Sequence, residues 1–380
     1  MNFELSEEQS AIREMVLSFA ADKLAPNAVD WDAAGHFPGD VVRSVGELGL
    51  GGIYVREDVG GSGLGRLDAV LIFEAMATGC PSIASFISIH NMCAWMIDKF
   101  GTEDQRQTWV PRLCSMELIC SYCLTEPSVG SDAAALKTRA ERDGNGWRLN
   151  GTKSFISGGG TSDLYIVMAR SGEDGAKGVS SMLVEDGTPG LSFGANERKM
   201  GWKAQPTAEV RFDDCRIDGD RLIGEEGKGF RYAMAGLDGG RLNIAASALG
   251  GAQAALDKAL LYAGDRKAFG KSIDQFQSIQ FKLADMETEL QAARIFLYQA
   301  ATKLDAGAPD ATKFCAMAKR FVTDVAFNVA NEALQIHGGY GYLSDFGLEK
   351  IVRDLRVHQI LEGTNEIMRV IIARHLLEAR

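Results

Sequence analysis

Asp143-Gly144-Asn145-Gly146-Trp147-Arg148-Leu149-Asn150-Gly151-Thr152-Lys153-Ser154-Phe155-Ile156 sets Gly-containing turn signals beside short runs of strand-type residues. The same texture fills residues 121–225. Further turn signals stand at Gly158-Gly159-Gly160, Asp174-Gly175, Asp186-Gly187 and Asp218-Gly219, and 16 Gly fall in this stretch. Between them lie Leu164-Tyr165-Ile166-Val167-Met168, Met182-Leu183-Val184 and Glu209-Val210-Arg211-Phe212. Closely spaced turns around such runs predict a small antiparallel barrel or sandwich, not a βαβ sheet.

Outward from this block the chain reads as helical on both sides. Upstream, over 1–120, Ser6 and Gln9 make an S-x-x-Q capping box ahead of Ile12, Val16 and Phe19 at helical spacing. Pro26 is expected to end that helix. Phe37-Pro38-Gly39-Asp40 reads as a turn into a second helix carrying Val41, Val45 and Leu48, and Gly60-Gly61-Ser62-Gly63 as a loop before the apolar segment around Leu71, Phe73, Ala75 and Met76. Downstream, over 226–380, three stripes repeat every three or four residues: Leu242 to Leu260, Ile279 to Leu297, and Phe314, Ala318, Val322, Val325 and Val329. Only Pro309 of the eight Pro lies in the last 174 residues. Long amphipathic helices packed as a bundle follow, with a last helix from about Asn365 to Leu377. The expected architecture is therefore an α+β multidomain chain: a helical domain at 1–120, a β-domain at 121–225 and a helical bundle at 226–380.

Composition excludes several classes. The 380 residues are 46% hydrophobic and 24% charged, with room for two or three domains and a large core. Forty Lys and Arg against 51 Asp and Glu leave a net charge of −11, which argues against the basic surface that nucleic acid or an anionic membrane requires. The first eight residues carry no basic or apolar leader, and the most apolar stretch, Ala84 to Ile97, is too short to span a bilayer. Seven Cys, an odd count at irregular spacing with no metal-ligand pattern, read as reduced thiols in a cytosol-like compartment, so the expected location is cytoplasmic. Five scattered His predict no metal centre. Motifs for a nicotinamide Rossmann site, a P-loop, a serine hydrolase and a zincin are all missing.

Two segments carry candidate chemistry. The first is Tyr122-Cys123-Leu124-Thr125-Glu126-Pro127-Ser128-Val129-Gly130-Ser131-Asp132, whose turn exposes backbone N–H groups suited to polar cofactor edges. A linker turn between domains is its plainer reading. The second is Gln335-Ile336-His337-Gly338-Gly339-Tyr340-Gly341-Tyr342, followed by His358-Gln359-Ile360-Leu361-Glu362-Gly363-Thr364-Asn365-Glu366. Paired Gly permits close approach of a ligand. Glu362 is either a solvated loop acid or, beside Ile360 and Leu361, a carboxylate whose pKa is raised by burial for base catalysis. Thr364 or Asn365 is placed to cap the last helix. His337 reads as a core histidine before a catalytic one. Arg266 and Arg374 are either helix-end cations or phosphate contacts. Arg353, Asp354 and Arg356 are expected to form one ion-pair cluster.

Taken together, these segments resemble the acyl-CoA dehydrogenase family of flavoproteins over essentially the whole chain. The resemblance implies a C-terminal four-helix bundle, bound FAD and α,β-dehydrogenation of an acyl-CoA thioester, with Glu362 removing the α-proton and hydride transfer to the flavin. Some members carry the base just before the Arg of the helix starting near Leu237. That position is Gly240 in this chain, which leaves Glu362 as the candidate. By motif, Tyr122, Cys123, Leu124, Thr125, Gly130 and Ser131, with Phe155, Ile156 and Ser157, are implied flavin contacts, as are Thr364, Asn365 and Glu366. Arg266, Phe276 and Gln277, with Gln335, Ile336, His337, Gly338 and Gly339, are implied contacts to the FAD of a neighbouring subunit, hence a homo-oligomer, a tetramer by family habit. Ser131, Asp238, Gly239, Gly240, Arg241 and Arg374 are implied acyl-CoA contacts. Electron-transfer flavoprotein is the implied electron acceptor, with an oxygen-using oxidase as the alternative. Within the family, Ile87–Ile97, Gly239–Ala245 and Val352–Gly363 resemble the members that act on short branched-chain substrates, which implies isobutyryl-CoA, converted to methacrylyl-CoA in valine breakdown, with butyryl- and 2-methylbutyryl-CoA as alternatives. One departure from the family pattern is Ser128, where Gly is usual. A positive φ at that position would tax a serine.

Overall fold

The computed structural model describes residues 4–378. Six helices come first: α1 (Glu7–Phe19), α2 (Ala28–Ala34), α3 (Gly39–Ser44), α4 (Arg66–Ala77), α5 (Pro81–Phe100) and α6 (Glu103–Cys114). Eight strands follow: β1 (Cys120–Cys123), β2 (Arg139–Asp143), β3 (Gly146–Ser157), β4 (Leu164–Arg170), β5 (Val179–Glu185), β6 (Leu191–Phe193), β7 (Thr207–Ile217) and β8 (Leu222–Ile223). The chain then enters α7 (Gly229–Asp265) and a small ribbon, β9 (Lys267–Ala268) with β10 (Lys271–Ser272). It finishes with α8 (Gln277–Asp305), α9 (Ala311–His337), α10 (Leu348–Arg356) and α11 (Asn365–Glu378). No helix among the described residues is long and apolar enough to cross a membrane.

Local chemistry sets the element ends. The Ser6–Gln9 capping box closes in both directions, each bond 3.1 Å long. The first helix runs past Phe19 into a single π-helical turn, Ala20–Leu24, and stops before Pro26. The second expected helix is shorter than its apolar spacing implied. It lasts from Gly39 to Ser44 and tightens into a 3₁₀ turn ended by Gly49 at φ 72°.

The eight strands form one sheet in the order β6-β7-β3-β2-β4-β5-β8, with β1 added against β4. Most pairs are antiparallel, as the turn spacing predicts. The exceptions are β1 with β4 and the single β2–β4 pair, which are parallel. Asn150-Gly151 is not a turn: Trp147 and Ile156 lie on one 12-residue strand. Gly151, at φ 147°, absorbs a register shift between Leu149 and itself, and a Cβ there would come within 2.7 Å of the Thr138 Cα. Strand β4 is buried along its whole length, so it reads as a continuous apolar run. Its two faces feed two cores. Leu164, Ile166 and Met168 pack toward α5 and α6, and Tyr165, Val167 and Ala169 pack inside the sheet.

Helices α4 and α5 are the link between sheet and bundle. Ten of the twelve α4 residues are buried, so α4 shows no single apolar stripe. The α5 helix packs on both β1 and α7. One core joins α4 and α5 to α7, α8 and α9. Consequently α7, the start of β1 and the loop before α11 converge on one region.

Candidate active site

The loop between α10 and α11 builds the centre of that region. His358, fully buried, anchors it through Nδ1 to the Ile244 carbonyl of α7, 3.0 Å away, and burial pushes its pKa down to about 4. Glu362 then adopts φ 55° and Gly363 φ 86°. A left-handed conformation costs a non-glycine residue about 1–2 kcal/mol, so the turn is held from outside. The holder is one face of α9. Lys319 Nζ donates to the Gly363 carbonyl at 2.9 Å and to Asn365 Oδ1 at 3.0 Å. Asn365 Nδ2 donates to Asp324 Oδ1 at 2.8 Å and to Thr323 Oγ1 at 3.0 Å. Thr364 Oγ1 accepts from the Ile367 N–H and caps α11.

This arrangement aims the Glu362 carboxylate inward. Its Oε2 is enclosed and has no hydrogen-bond partner in the protein. Burial raises the Glu362 pKa to about 7, against the opposing pull of Arg241 and Lys319. The Cys93 thiol and the Tyr122 phenol, both enclosed and held neutral chiefly by burial, face the same carboxylate. The Tyr122 hydroxyl also lacks a protein partner. Gly240 completes the wall: a Cβ there would sit 2.7 Å from Glu362 Oε2. Position 240 therefore has no room for a side chain while the carboxylate holds this place. Gly240→Ala is expected to leave the fold intact and slow substrate-driven flavin reduction about 10²-fold by displacing the carboxylate, checked by stopped-flow absorbance.

The loop after β1 forms a second wall. Glu126, almost fully buried, accepts from Lys153 Nζ at 2.8 Å and from the Lys137 and Thr138 N–H groups at 2.7 and 2.8 Å. Burial pushes the Glu126 carboxyl up, but Lys153 and these donors outweigh it and hold it below the usual range. Lys153 also ties the Leu124 carbonyl at 3.0 Å, and Thr125 O accepts from the Ser154 N–H at 2.9 Å. Cys123, Leu124 and Ile156 are buried, Gly130 and Ser131 lie exposed on the loop, and Ser128 has no positive φ. The expected penalty at Ser128 is thus absent, because the Glu126–Val129 bridge closes the turn without a left-handed residue there. Phe155 takes φ 59° and leaves its side chain 66% exposed. Next to it, Gln205 Nε2 reaches Ser157 Oγ at 3.4 Å, while Gln205 Oε1 and the buried Trp202 Nε1 lack partners.

Other expected site residues are distributed less simply. Arg241 pairs with Asp238 at 2.6 Å, and Asp238 also accepts from Thr312 at 2.6 Å, so both substrate candidates flank Gly239 and Gly240 in place. Arg374 and Glu366 are exposed on α11. The Asn365 side chain is committed inward to α9, through Thr323 and Asp324, which leaves its backbone as the part open to a cofactor. Arg266, Ile336, His337, Gly338 and Gly339 line a separate cleft of about 370 Å³ with Tyr262 and Tyr340. The His337 ring stacks on Tyr262 at 4.2 Å and bonds the Ala333 carbonyl, so it is a core histidine that also walls the cleft. Phe276 and Gln277 follow the cleft residue Ile273, and Gln335 is exposed beside it. At 1.5 Å per residue, Arg266 lies about 37 Å along α7 from Arg241, so one protomer does not bring the two groups together. The expected Arg353–Asp354–Arg356 cluster is corrected. Arg353 pairs with Asp32 and Glu349, Asp354 binds Lys350 and the Trp202 N–H, and Arg356 reaches Gln359. Arg353 and Asp354, adjacent in sequence, point to different sides of α10, and each of the three side chains is taken up by its own partner.

The motifs did not single out Lys319 or the Lys153–Glu126 pair. The available signal for Lys319 was a lysine one turn from Cys315 on an otherwise apolar helix face.

Models of the acyl-CoA dehydrogenase N-terminal, middle and C-terminal domains match residues 6–117, 121–215 and 227–377. The chain belongs to the acyl-CoA dehydrogenase family, FAD-dependent oxidoreductases of acyl-CoA thioesters. It is 52% identical over 374 residues to the mitochondrial isobutyryl-CoA dehydrogenase of Bos taurus, covering 98% of this chain and 90% of that one. It is 54% identical to the corresponding protein of Dictyostelium discoideum over 373 residues, with the same coverage. Among solved structures, butyryl-CoA dehydrogenase from Megasphaera elsdenii superposes with a TM-score of 0.96 at 39% identity, covering 99% of this chain and all of that one. The residues present fit FAD. An exposed aromatic ring at Phe155, free polar atoms at Tyr122, Trp202 and Gln205, and a rigid loop at 124–126 suit a flat, polar-edged ring system.

Proposed function

We propose that the chain oxidises a short branched-chain acyl-CoA, isobutyryl-CoA foremost, to its α,β-unsaturated thioester, with Glu362 as the base. The observation that carries this reading is the enclosed Glu362 carboxylate, unpaired at Oε2 and poised at a pKa of about 7. FAD, when bound, supplies the two-electron acceptor. Every other task falls to the chain. Glu362 takes the α-proton, and the strained turn fixes the angle of its carboxylate. The Glu362 N–H is proposed to donate to the thioester carbonyl and so acidify the α-carbon. Enclosure by Tyr122, Cys93 and Gly240 keeps water from the carboxylate and strengthens each charge interaction there. Asp238, Gly239, Gly240 and Arg241, with Ser131 and Arg374, are the proposed contacts to the acyl-CoA. Tyr122 to Thr125, Gly130, Ser131, Phe155 to Ser157, Thr364 and the backbone of Asn365 and Glu366 are those to FAD.

The cleft at Arg266 and Gly338-Gly339 serves the FAD of a second copy in this reading, and a homotetramer brings it into register. We keep the divisions 1–120, 121–225 and 226–380, electron-transfer flavoprotein as the acceptor, and the cytoplasm as the location, in accord with seven unpaired buried thiols.

The test is anaerobic mixing of the holoenzyme with isobutyryl-, 2-methylbutyryl-, isovaleryl- and butyryl-CoA across pH 5.5–9. Isobutyryl-CoA is expected to bleach the flavin fastest. Below pH about 7, kcat/KM should fall tenfold per unit, because the base must be ionised. Bleaching by none of the four would overturn the assignment. Faster bleaching by another would move the substrate within the class.

A further inference from the structure

Helix α9 places one cation beneath the turn that carries Glu362. Lys319 is fully buried, and its ammonium makes two bonds, to the Gly363 carbonyl and to Asn365 Oδ1. A third polar neighbour, Thr323 Oγ1, bonds the Lys319 carbonyl at 2.8 Å and Asn365 Nδ2 at 3.0 Å. The lysine therefore grips the first and third residues after Glu362. Gly363 is the flexible residue of the turn, with no Cβ to restrain it, so the grip on its carbonyl fixes the Gly363–Thr364 peptide plane and closes the turn one residue after Glu362. A full positive charge in an enclosed site is costly unless it is used, and the groups available to neutralise it are few.

We propose that Lys319 is the positioning residue for Glu362: it locks the left-handed Glu362-Gly363 turn and sets the electrostatic environment in which the carboxylate ionises. The proposal rests on Glu362 being the base. Four groups face the carboxylate: Arg241 from α7, Lys319 from α9, Cys93 from α5 and Tyr122 from β1. The thiol and the phenol are neutral, and Arg241 is already paired with Asp238. Arg241 still pulls on Glu362 from that pair, and Lys319, the cation without a carboxylate bonded to its own nitrogen, adds its field to the same carboxylate. Glu362 in turn faces Lys319 together with Arg241, Asp324 and Glu366. Burial pushes the lysine pKa down to about 7, close to that of Glu362, so the ionisation of each depends on the other.

The test compares wild type with Lys319→Met and Lys319→Gln, the second keeping a hydrogen-bond donor without the charge. Two readouts are taken on the FAD-loaded protein: the acid limb of kcat/KM, and the Glu362 carboxyl followed by infrared difference spectroscopy with ¹³C-labelled Glu. Glu362→Gln identifies the Glu362 band. In both lysine variants the band and the acid limb should move upward together by about one pH unit or more, with KM for acyl-CoA changed about twofold or less. Lys319→Met should also lower kcat at high pH, where Glu362 is ionised throughout, and Lys319→Gln less so. A folded Lys319→Met with band and limb both at the wild-type pH overturns the proposal. So does loss of fold in both variants, which assigns the lysine to stability alone. If Glu362→Gln still reduces flavin, the base assignment falls, while the infrared titration continues to test whether Lys319 governs the Glu362 ionisation.

Discussion

Glu362→Gln is expected to retain FAD and acyl-CoA binding and to lose about 10²–10⁴-fold in the rate of substrate-driven flavin reduction. The amide keeps the size and shape of the carboxyl and removes only its capacity to accept a proton. The same variant reports on the fold. In the native protein burial raises the carboxyl from its ordinary 4.5 to about 7. The folded state then binds this proton more tightly than the unfolded state. Its contribution to stability is fully present below pH about 4.5 and is lost as the pH rises through about 7. Gln carries no such dependence. The thermal midpoint of Glu362→Gln should therefore gain on wild type between pH 5 and pH 8, measured by calorimetry at both. A gap that stays constant across that range would contradict a buried, proton-hungry carboxyl. Retention of flavin reduction would contradict the base assignment itself.

Lys153→Met should be the most damaging single change outside the turn. Lys153 and Glu126 are both nearly inaccessible, and their contact closes the loop, with its carbonyls at 124 and 125, that we propose as the cofactor wall. Removing the lysine leaves a buried carboxylate with only the Lys137 and Thr138 N–H groups. Breaking such a pair costs about 3–5 kcal/mol, a large share of a marginal stability. Denaturant titration should show a lower midpoint at unchanged slope, and the purified variant should be depleted of FAD. Adding Glu126→Gln should recover part of the loss, because the orphaned charge is gone. A loss under about 1 kcal/mol in Lys153→Met would mean that water reaches the pair.

The positions of the chemistry were legible to different degrees. Glu362 stands out because its E-G-T setting pairs an acid with a flexible glycine beside two apolar residues. Gly240 was legible only as the absence of an alternative acid. The structure adds that the same glycine makes space for the Glu362 carboxylate, a steric fact carried by residues 122 positions apart. Asn365 illustrates the opposite case. Its motif placed it at the cofactor, and the fold turns its amide inward to Thr323 and Asp324. The Arg353–Asp354–Arg356 run failed as a cluster because neighbours in sequence diverge on a helix and find partners at Asp32, Lys350 and Gln359 instead.

The order of the three regions, the caps of α1 and α11 and the shift in texture near residues 120 and 225 follow from the chain itself. Turn chemistry, apolar period and proline placement act over a few residues, and those are readable along a line. The single 12-residue strand through Asn150-Gly151, the parallel β1–β4 pairing, the grip of Lys319 on the Glu362 turn and the enclosure of that carboxylate were decided by the tertiary structure. Each depends on a contact between segments distant in sequence. The rise of the Glu362 pKa is the clearest instance, since burial is a property of everything packed around a group and of nothing in the group alone.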